Sequence, residues 1–321
     1  MRAMIGLSAL VASVLPASVA QAQSQCAEFS VTAADLRVNY DPFLPAMVER
    51  AFNIQVRRLD PNITAVRILL ADPDPAGSDP VLGLNGIARY DVVWSRDPSR
   101  QVFAIGSEQP NSTNGALISF SGQEMQPIQN ANFRLRIPAG QDIGAGNYHQ
   151  SLEVRYQCLT GNTDAGSFGV QSGAQLAVDL QVPERLSTFI GSAGVRRGRL
   201  DFGRVSANEG VISRSLSVTA QSTLPYDIDI RSENGALRRF ADDDRKLDYS
   251  LWLSDIEIGS GARLACTRGQ APAGHVHLLR AEIDAEQART AAAGTYSDII
   301  TLTFAPRLGL SGGEGCTLVL P

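Results

Sequence analysis

Apolar and polar residues alternate near the C-terminal end of the chain, within residues 291–304. Ile300, Leu302 and Phe304 share one parity, and threonines lie between them. A period of two residues is typical of a half-buried β-strand. Residues 144–156 show a similar Gly-x-Tyr turn followed by the same alternation. A closing strand that occurs twice predicts a domain that occurs twice.

Short alternating runs separated by Gly, Pro, Asn and Asp dominate the rest of the chain, which predicts an all-β protein of sandwich type. Three segments recur in the same order: residues 36–41 resemble 200–205, residues 90–97 resemble 249–255, and residues 146–148 resemble 294–296. This order predicts two tandem copies of one β-domain. The first copy is longer, mainly between residues 98 and 129.

These matches set the expected boundaries of the domains. We expect a first domain over residues 23–160, a glycine-rich linker over 161–175 and a second domain over 176–321. The clean alternation of residues 176–182 leaves two assignments open. This segment is either the first strand of the second domain or a strand that returns to the first.

Residues 1–22 have the features of a secretory signal peptide. Arg2 is followed by an apolar stretch over residues 4–15 and by the small-x-small sequence Ala-Gln-Ala at 20–22. The apolar stretch is too short to span a bilayer. We therefore expect an exported chain that does not span the membrane.

The composition excludes several function classes. Hydrophobic residues make up 44% of the chain, which is enough for packed cores, and the net charge of −5 includes no basic block. A nucleic-acid partner is not expected. The sequence has no Gly-x-Ser-x-Gly elbow and no phosphate-binding loop, so we expect neither an enzyme nor a bound cofactor.

The chain contains four cysteines: Cys26, Cys158, Cys266 and Cys316. Four cysteines in an exported chain indicate two disulfides, with three possible connectivities. The simplest connectivity keeps each bridge within one copy, joining Cys26 to Cys158 and Cys266 to Cys316.

Two groups of residues are candidates for metal binding. His275 and His277 could present two imidazoles on one strand face, but no third ligand is evident, and an exposed pair is favoured. Asp72, Asp74 and Asp79 place three carboxylates in a short loop, for which a solvated turn is favoured over a cation site.

The second half also resembles a known family, the spore coat protein U domain. The resemblance rests on Leu-Asp-Phe-Gly at 200–203, the strand 215–221, Leu-Pro-Tyr-Asp-Ile-Asp-Ile at 224–230, Glu-Asn-Gly at 233–235, Tyr-Ser-Leu-Trp at 249–252 and the closing strand. It is good over residues 195–304 and weaker over 26–158. This family provides the subunits of archaic chaperone–usher pili, and two such domains in one chain are similar to the tip adhesin.

The resemblance implies immunoglobulin-like sandwiches that lack one strand, with Ile300, Leu302 and Phe304 on the rim of the open groove. It also implies a periplasmic pilus chaperone, an outer-membrane usher and a neighbouring pilin subunit as partners, and a pilus at the surface of a Gram-negative bacterium. Only Gln23, Ser24 and Gln25 would precede Cys26 after cleavage, so we expect a chain that accepts a strand and donates none. A C-terminal strand over 316–320 could instead close the groove.

Archaic tip adhesins grip surfaces with hydrophobic loops, and the first copy has apolar residues where the second has charges. We therefore expect a contact patch of Leu82, Leu84 and Ile87, with Met125 and Ile128. The alternative is that these side chains belong to the core. The function expected is attachment and biofilm formation. The alternatives are a self-assembling secreted coat protein and a cation-dependent carbohydrate-binding sandwich.

Overall fold

The computed structural model describes residues 26–31, 35–73, 81–82, 88–120, 127–161, 168–205, 210–240, 245–307 and 315–319. The described chain is almost entirely β-structure and forms two sandwiches in tandem. The strands of the first unit are β1 (Ala27–Val31), β2 (Asp35–Asn39), β3 (Val48–Arg58), β4 (Ala65–Asp72), β5 (Val81–Leu82), β6 (Ala88–Arg89), β7 (Asp91–Trp94), β8 (Phe103–Ile105), β9 (Ala116–Ser119), β10 (Ile128–Ile137), β11 (Gly146–Leu159) and β12 (Phe168–Val182).

Two sheets pack face to face in the first unit. One has the order β1-β3-β10-β7, and the other has the order β2-β12-β11-β4-β8, with β9 added to β4. Burial alternates along β10, where Ala131, Phe133, Leu135 and Ile137 are buried. The inward residues of both sheets form one continuous core, as the period-two pattern predicts.

β12 belongs to the first unit, and this placement differs from the boundaries expected from sequence. It pairs antiparallel with β11 and parallel with β2. Leu176, Val178, Leu180 and Val182 are at most 3% exposed in the first core. Residues 168–175, expected in a linker, are part of this strand, and residues 176–182 do not start the second unit. Alternation fixes which face of a strand is buried but not which core receives it, and hydrogen bonding to β11 decides the assignment.

The second unit begins at β13. Its elements are β13 (Leu186–Ile190), β14 (Val211–Ser222), β15 (Tyr226–Ser232), β16 (Leu237–Arg239), β17 (Lys246–Leu247), β18 (Ser250–Leu253), β19 (Ile256–Ile258), β20 (Arg263–Cys266), β21 (His275–Asp284), α1 (Ala285–Thr290), β22 (Tyr296–Ser297), β23 (Ile300–Pro306) and β24 (Cys316–Val319). A five-stranded sheet has the order β13-β14-β21-β18-β19, and a four-stranded sheet has the order β23-β15-β20-β24. β16, β17 and β22 form a small third sheet.

The helix α1 lies between β21 and β22. Asp284 caps it by accepting a hydrogen bond from the Glu286 backbone N–H at 3.0 Å. Arg289 in the last turn complements the partial negative charge of the helix end.

The two units share a strand order that the sequence repeat anticipates. The order β1-β3-β10-β7 in the first corresponds to β13-β14-β21-β18 in the second, and β11 beside β4 corresponds to β23 beside β15. The units differ at one position. β11 is paired on both sides, by β4 and β12, whereas β23 pairs only with β15 within the described part of the chain.

The junction between the units is short and polar. Only residues 183–185 separate β12 from β13. Arg185 of this connector forms an ion pair with Asp41 of the first unit, and Arg268 of the second unit forms one with Asp142 of the first. The Ala145 N–H also donates to the Thr223 carbonyl at 2.9 Å. These contacts hold the two sandwiches in a defined relative position.

Candidate strand-accepting groove

Within the described part of the chain, no strand pairs with the outer edge of β23. The Glu233 N–H donates to the Ile299 carbonyl, and the Arg307 N–H donates to the Pro225 carbonyl. Both bonds belong to hydrogen-bonded pairs of the ladder between β15 and β23. In an antiparallel ladder such pairs alternate with non-hydrogen-bonded pairs, and the pair of Ser232 with Ile300 is of the second kind. The N–H and C=O groups of Ile300, Leu302 and Phe304 therefore point away from β15, toward the open edge.

The side chains of the same three residues enter the second core but stay partly exposed. Counted over the described residues alone, the second core has twelve buried and twelve partly buried apolar residues, whereas the first has 34 buried and four partly buried. The partly buried set includes Leu186, Ile190, Leu200 and Phe202, together with Ile300, Leu302 and Phe304. The second core is thus open along β23.

The opposite wall of this groove begins at β13. After Ile190 the chain turns through Gly191 and Gly194, both with positive φ, and the Ile190 N–H donates to the Val195 carbonyl at 2.7 Å. Residues 198–203 then continue along the edge of β14, where the Asp201 carbonyl accepts from Arg214 Nε at 3.1 Å. This segment is extended but forms no strand.

The counterpart of this wall in the first unit explains its irregularity. Residues 200–205 correspond to residues 36–41 in the sequence repeat, and β2 is a strand because it pairs with β12. No described strand occupies the place of β12 in the second unit, so residues 200–205 have no ladder to join. The groove has the position and walls of the slot that β12 fills in the first unit.

One end of the groove is fixed by the carboxylate of Asp298. It accepts hydrogen bonds from the hydroxyls of Ser232 and Tyr249 and from the backbone N–H of Asn234 and of Ile299. Burial alone would raise the pKa of Asp298, but these hydrogen bonds together lower it below its usual value. The sequences at 233–235 and 249–252 therefore meet at Asp298, two residues before β23.

The C-terminal strand does not close the groove. β24 pairs antiparallel with β20, at the edge of the four-stranded sheet opposite to β23. The self-completion that the sequence left open at residues 316–320 is therefore absent from the β23 edge among the described residues.

The four cysteines form two disulfides, Cys26–Cys158 and Cys266–Cys316, so each bridge lies within one unit. The first joins residues 132 positions apart and ties β11 to the start of β1. The second links directly opposed residues of β20 and β24.

The two histidines of the sequence pair are not both exposed. His277 is 1% exposed, and its Nε2 lies 2.7 Å from the Tyr226 hydroxyl. Burial, with neighbouring His275 second, lowers the pKa of His277 to about 3, so the ring is neutral. Cys266, His277 and Cys316 bring ligand atoms within 4.8 Å, but both sulfurs belong to the disulfide and are not thiolates.

Of the three carboxylates in the candidate cation loop, Asp72 lies in the described part of the chain. Asp72 is 1% exposed at the end of β4 and accepts from Gln150 Nε2 at 2.8 Å. Burial, with the charge of Asp72 second, raises the pKa of Tyr90. Asp74 and Asp79 lie outside the described residues.

The expected contact patch is divided by the structure. Leu82 lies in β5, which pairs with β6. The Arg89 backbone of β6 is hydrogen-bonded to the Gln141 side chain, at the end of the first unit that meets the second. Ile128 starts β10 at the opposite end, about 30 Å away for a ten-residue strand. Leu82 and Ile128 therefore cannot share one patch. Leu84, Ile87 and Met125 lie outside the described residues, as does the expected signal peptide at 1–22.

Sequence reasoning does not identify β12 as the strand that lies between β11 and β2. The available signal is the alternation of residues 176–182, whose apolar side chains the first core buries. The structure adds the exposed apolar side chains at the far end of the first unit, Leu59 at 41% and Ile128 at 42%.

Comparisons with solved structures return pilus proteins at low identity. The CsuC–CsuE chaperone–tip adhesion subunit complex of Acinetobacter baumannii is 16% identical, covering 86% of this chain and 99% of that chain, with a TM-score of 0.36. CfaE, the adhesive subunit of CFA/I fimbria of enterotoxigenic Escherichia coli, is 14% identical, with coverage of 89% and 97% and a TM-score of 0.36. The CooA pilin subunit of enterotoxigenic E. coli is 16% identical, with coverage of 50% and 99% and a TM-score of 0.33.

No family model and no curated protein matches the chain. Among the described residues, no helix has the length and apolar character needed to cross a membrane.

Proposed function

We propose that this protein is an exported, non-enzymatic subunit of a surface fibre, and that its second unit accepts a β-strand from another protein. The observation that carries the proposal is the open edge of β23, where Ile300, Leu302 and Phe304 offer both backbone groups and half-exposed apolar side chains. Strand addition uses both features, since the backbone gives affinity and the alternate side chains give specificity.

The first unit indicates how the incoming strand would lie. β12 runs antiparallel to β11 and parallel to β2. An incoming strand in the same slot would run antiparallel to β23 and parallel to residues 200–204. Its inward side chains would cover the partly buried residues of the second core.

An uncovered edge with an open core is an aggregation hazard. The proposal therefore includes a periplasmic pilus chaperone that covers the groove, an outer-membrane usher, and a neighbouring pilin subunit that later donates its strand. The assembled fibre would lie on the surface of a Gram-negative bacterium.

We place the chain at the tip of the fibre, as an adhesin that promotes attachment and biofilm formation. The first unit supplies its own β12 and needs no donor, which frees it for contact with a surface. Its far end carries the exposed side chains Leu59 and Ile128. Exposed apolar residues of this kind suit contact with an apolar surface.

Strand acceptance is tested by producing the chain in the periplasm with and without a pilus chaperone. We expect a one-to-one complex with the chaperone and aggregation in its absence. Leu302→Asp should prevent complex formation because it places a charge in the groove. The matched control Leu318→Asp, on β24 at the opposite edge, should leave the complex intact. A stable free monomer that ignores the chaperone would contradict the proposal.

Adhesion is tested separately, on cells that display the assembled fibre. Leu59→Ser with Ile128→Ser should reduce binding to apolar surfaces while leaving secretion unchanged. Leu44→Ser with Met47→Ser is the matched control, because both residues are about half exposed near the junction of the units. Equal adhesion of the two double variants would remove the far end from consideration.

A further inference from the structure

A cluster of arginines lines one wall of the groove. Residues 195–204 contain Arg196, Arg197, Arg199 and Arg204 against one acidic residue, Asp201, which gives a net charge of +3. All four arginines are exposed. Arg199 lies 3.4 Å from Asp201, but both side chains are mostly exposed and such a pair contributes little.

Three observations orient this segment. A side chain at Gly198 would meet Ile190 and Leu216, so position 198 faces the core. Leu200 and Phe202 also pack against the core. Because successive residues of an extended chain point to opposite sides, Arg197 and Arg199 face outward along the rim.

In the first unit, one outward position of the strand in this slot carries a charged side chain. Asp179 of β12 faces outward, lies opposite Arg37 in the register with β2, and has its carboxylate 2.6 Å from His149 Nδ1 of β11. One outward position of the strand that fills the slot therefore presents a carboxylate toward both neighbouring strands.

The register between β2 and β12 can be applied to the second unit, because residues 36–41 correspond to residues 200–205 in the sequence repeat. Ala177 of β12 lies opposite Asp35, which corresponds to Arg199, and Gln175 lies two residues earlier in the same strand. The wall residue at this position is therefore acidic in the first unit, where it is Asp35, and basic in the second unit, where it is Arg199.

We propose that the strand accepted by the second unit carries carboxylates at the two outward positions opposite Arg197 and Arg199, alternating with apolar side chains. This inference rests on the proposed function and specifies the chemistry of the partner. Arginines on an exposed rim act mainly by speeding association and selecting the partner, and their effect is screened by salt.

Three synthetic peptides with the sequence of residues 172–182 test the inference. All carry Asp179→Asn, which removes repulsion from Asp201. One keeps Gln175 and Ala177, the second has glutamate at both positions, and the third has lysine at both. Each labelled peptide is added to the complex of the full exported chain with the pilus chaperone, and its association with the chain is followed by fluorescence anisotropy.

We expect the glutamate peptide to associate about tenfold faster than the lysine peptide at low salt, and the difference to vanish near about 1 M salt, where the Debye length is about 3 Å. Arg197→Ser with Arg199→Ser should abolish the difference. Arg50→Ser with Arg57→Ser makes the same charge change on exposed residues of the first unit and should preserve it.

The outcomes separate the two proposals. Binding of all three peptides at equal rates would overturn the charge inference and leave strand acceptance standing. Failure of all three to bind would overturn strand acceptance as well.

Discussion

The hydroxyl of Tyr249 lies 2.6 Å from a carboxylate oxygen of Asp298. This hydrogen bond joins the residue before β18 to the residue two positions before β23. Asp298 also accepts from the Ser232 hydroxyl and from the Asn234 N–H. Burial raises the pKa of Tyr249 to about 12, so this hydroxyl remains a donor at any physiological pH. The Asp298 carboxylate therefore connects the chain next to β23 with Ser232, Asn234 and Tyr249.

Asp298→Ala should lower the free energy of unfolding of the second unit by about 2–3 kcal/mol, because several part-buried donors lose their acceptor. Urea unfolding followed by Trp252 fluorescence in a Trp94→Phe background measures this effect. The control is Asp229→Ala, whose carboxylate is 43% exposed and 4.0 Å from Arg263, and which should cost less than about 1 kcal/mol. Equal losses from the two variants would contradict the role of Asp298.

His277 should make the second unit sensitive to mild acid. Its folded pKa is about 3, and its unfolded pKa is near 6.5, so the unfolded state binds more protons in this interval. The free energy of unfolding should fall by up to about 1.4 kcal/mol per pH unit as the pH drops below 6.5. His275, whose pKa burial also lowers, adds in the same direction.

Unfolding measured between pH 6.5 and 5 isolates this effect, because most carboxylates stay ionised there. His277→Gln should flatten the pH dependence. An unchanged slope in His277→Gln would show that the histidine is not responsible.

The sequence predicts the strands of this protein better than their partners. Alternation locates β23 and the faces of Ile300 and Leu302, because burial on one side imposes a period of two. It does not show that β12 pairs with β11, since the same pattern suits either core. The open edge follows from that pairing, and so it becomes visible only in three dimensions.

The candidate contact patch shows the same limit. Leu82 and Ile128 are both apolar and both outside obvious core strands, but they lie at opposite ends of the first unit. Residue type gives no information on which loops share an end of a sandwich. The sequence similarly predicts an exposed His277. A His-Val-His sequence does not show that Tyr226 and the Cys266–Cys316 disulfide lie against the His277 ring.

The two ion pairs at the junction should hold the relative position of the units. Asp41→Asn with Asp142→Asn removes both partners, of Arg185 and of Arg268. We expect a larger radius of gyration and a broader distance distribution in small-angle X-ray scattering, with little loss of stability, because the pairs are part-exposed. Glu49→Gln, which removes contacts of Arg134 and Arg136 within the first unit, is the control. Identical scattering profiles for all three proteins would contradict the prediction.

The two disulfides should contribute unequally to stability. Their cysteines are 132 and 50 positions apart, and the loop-entropy model assigns about 5 kcal/mol to the longer loop and about 4 kcal/mol to the shorter. Cys26→Ser with Cys158→Ser should therefore destabilise the first unit more than Cys266→Ser with Cys316→Ser destabilises the second. Fluorescence of Trp94 and Trp252, each studied with the other replaced by Phe, reports the two units separately. A greater loss in the second unit would show that attachment of β24 to β20 matters beyond loop closure.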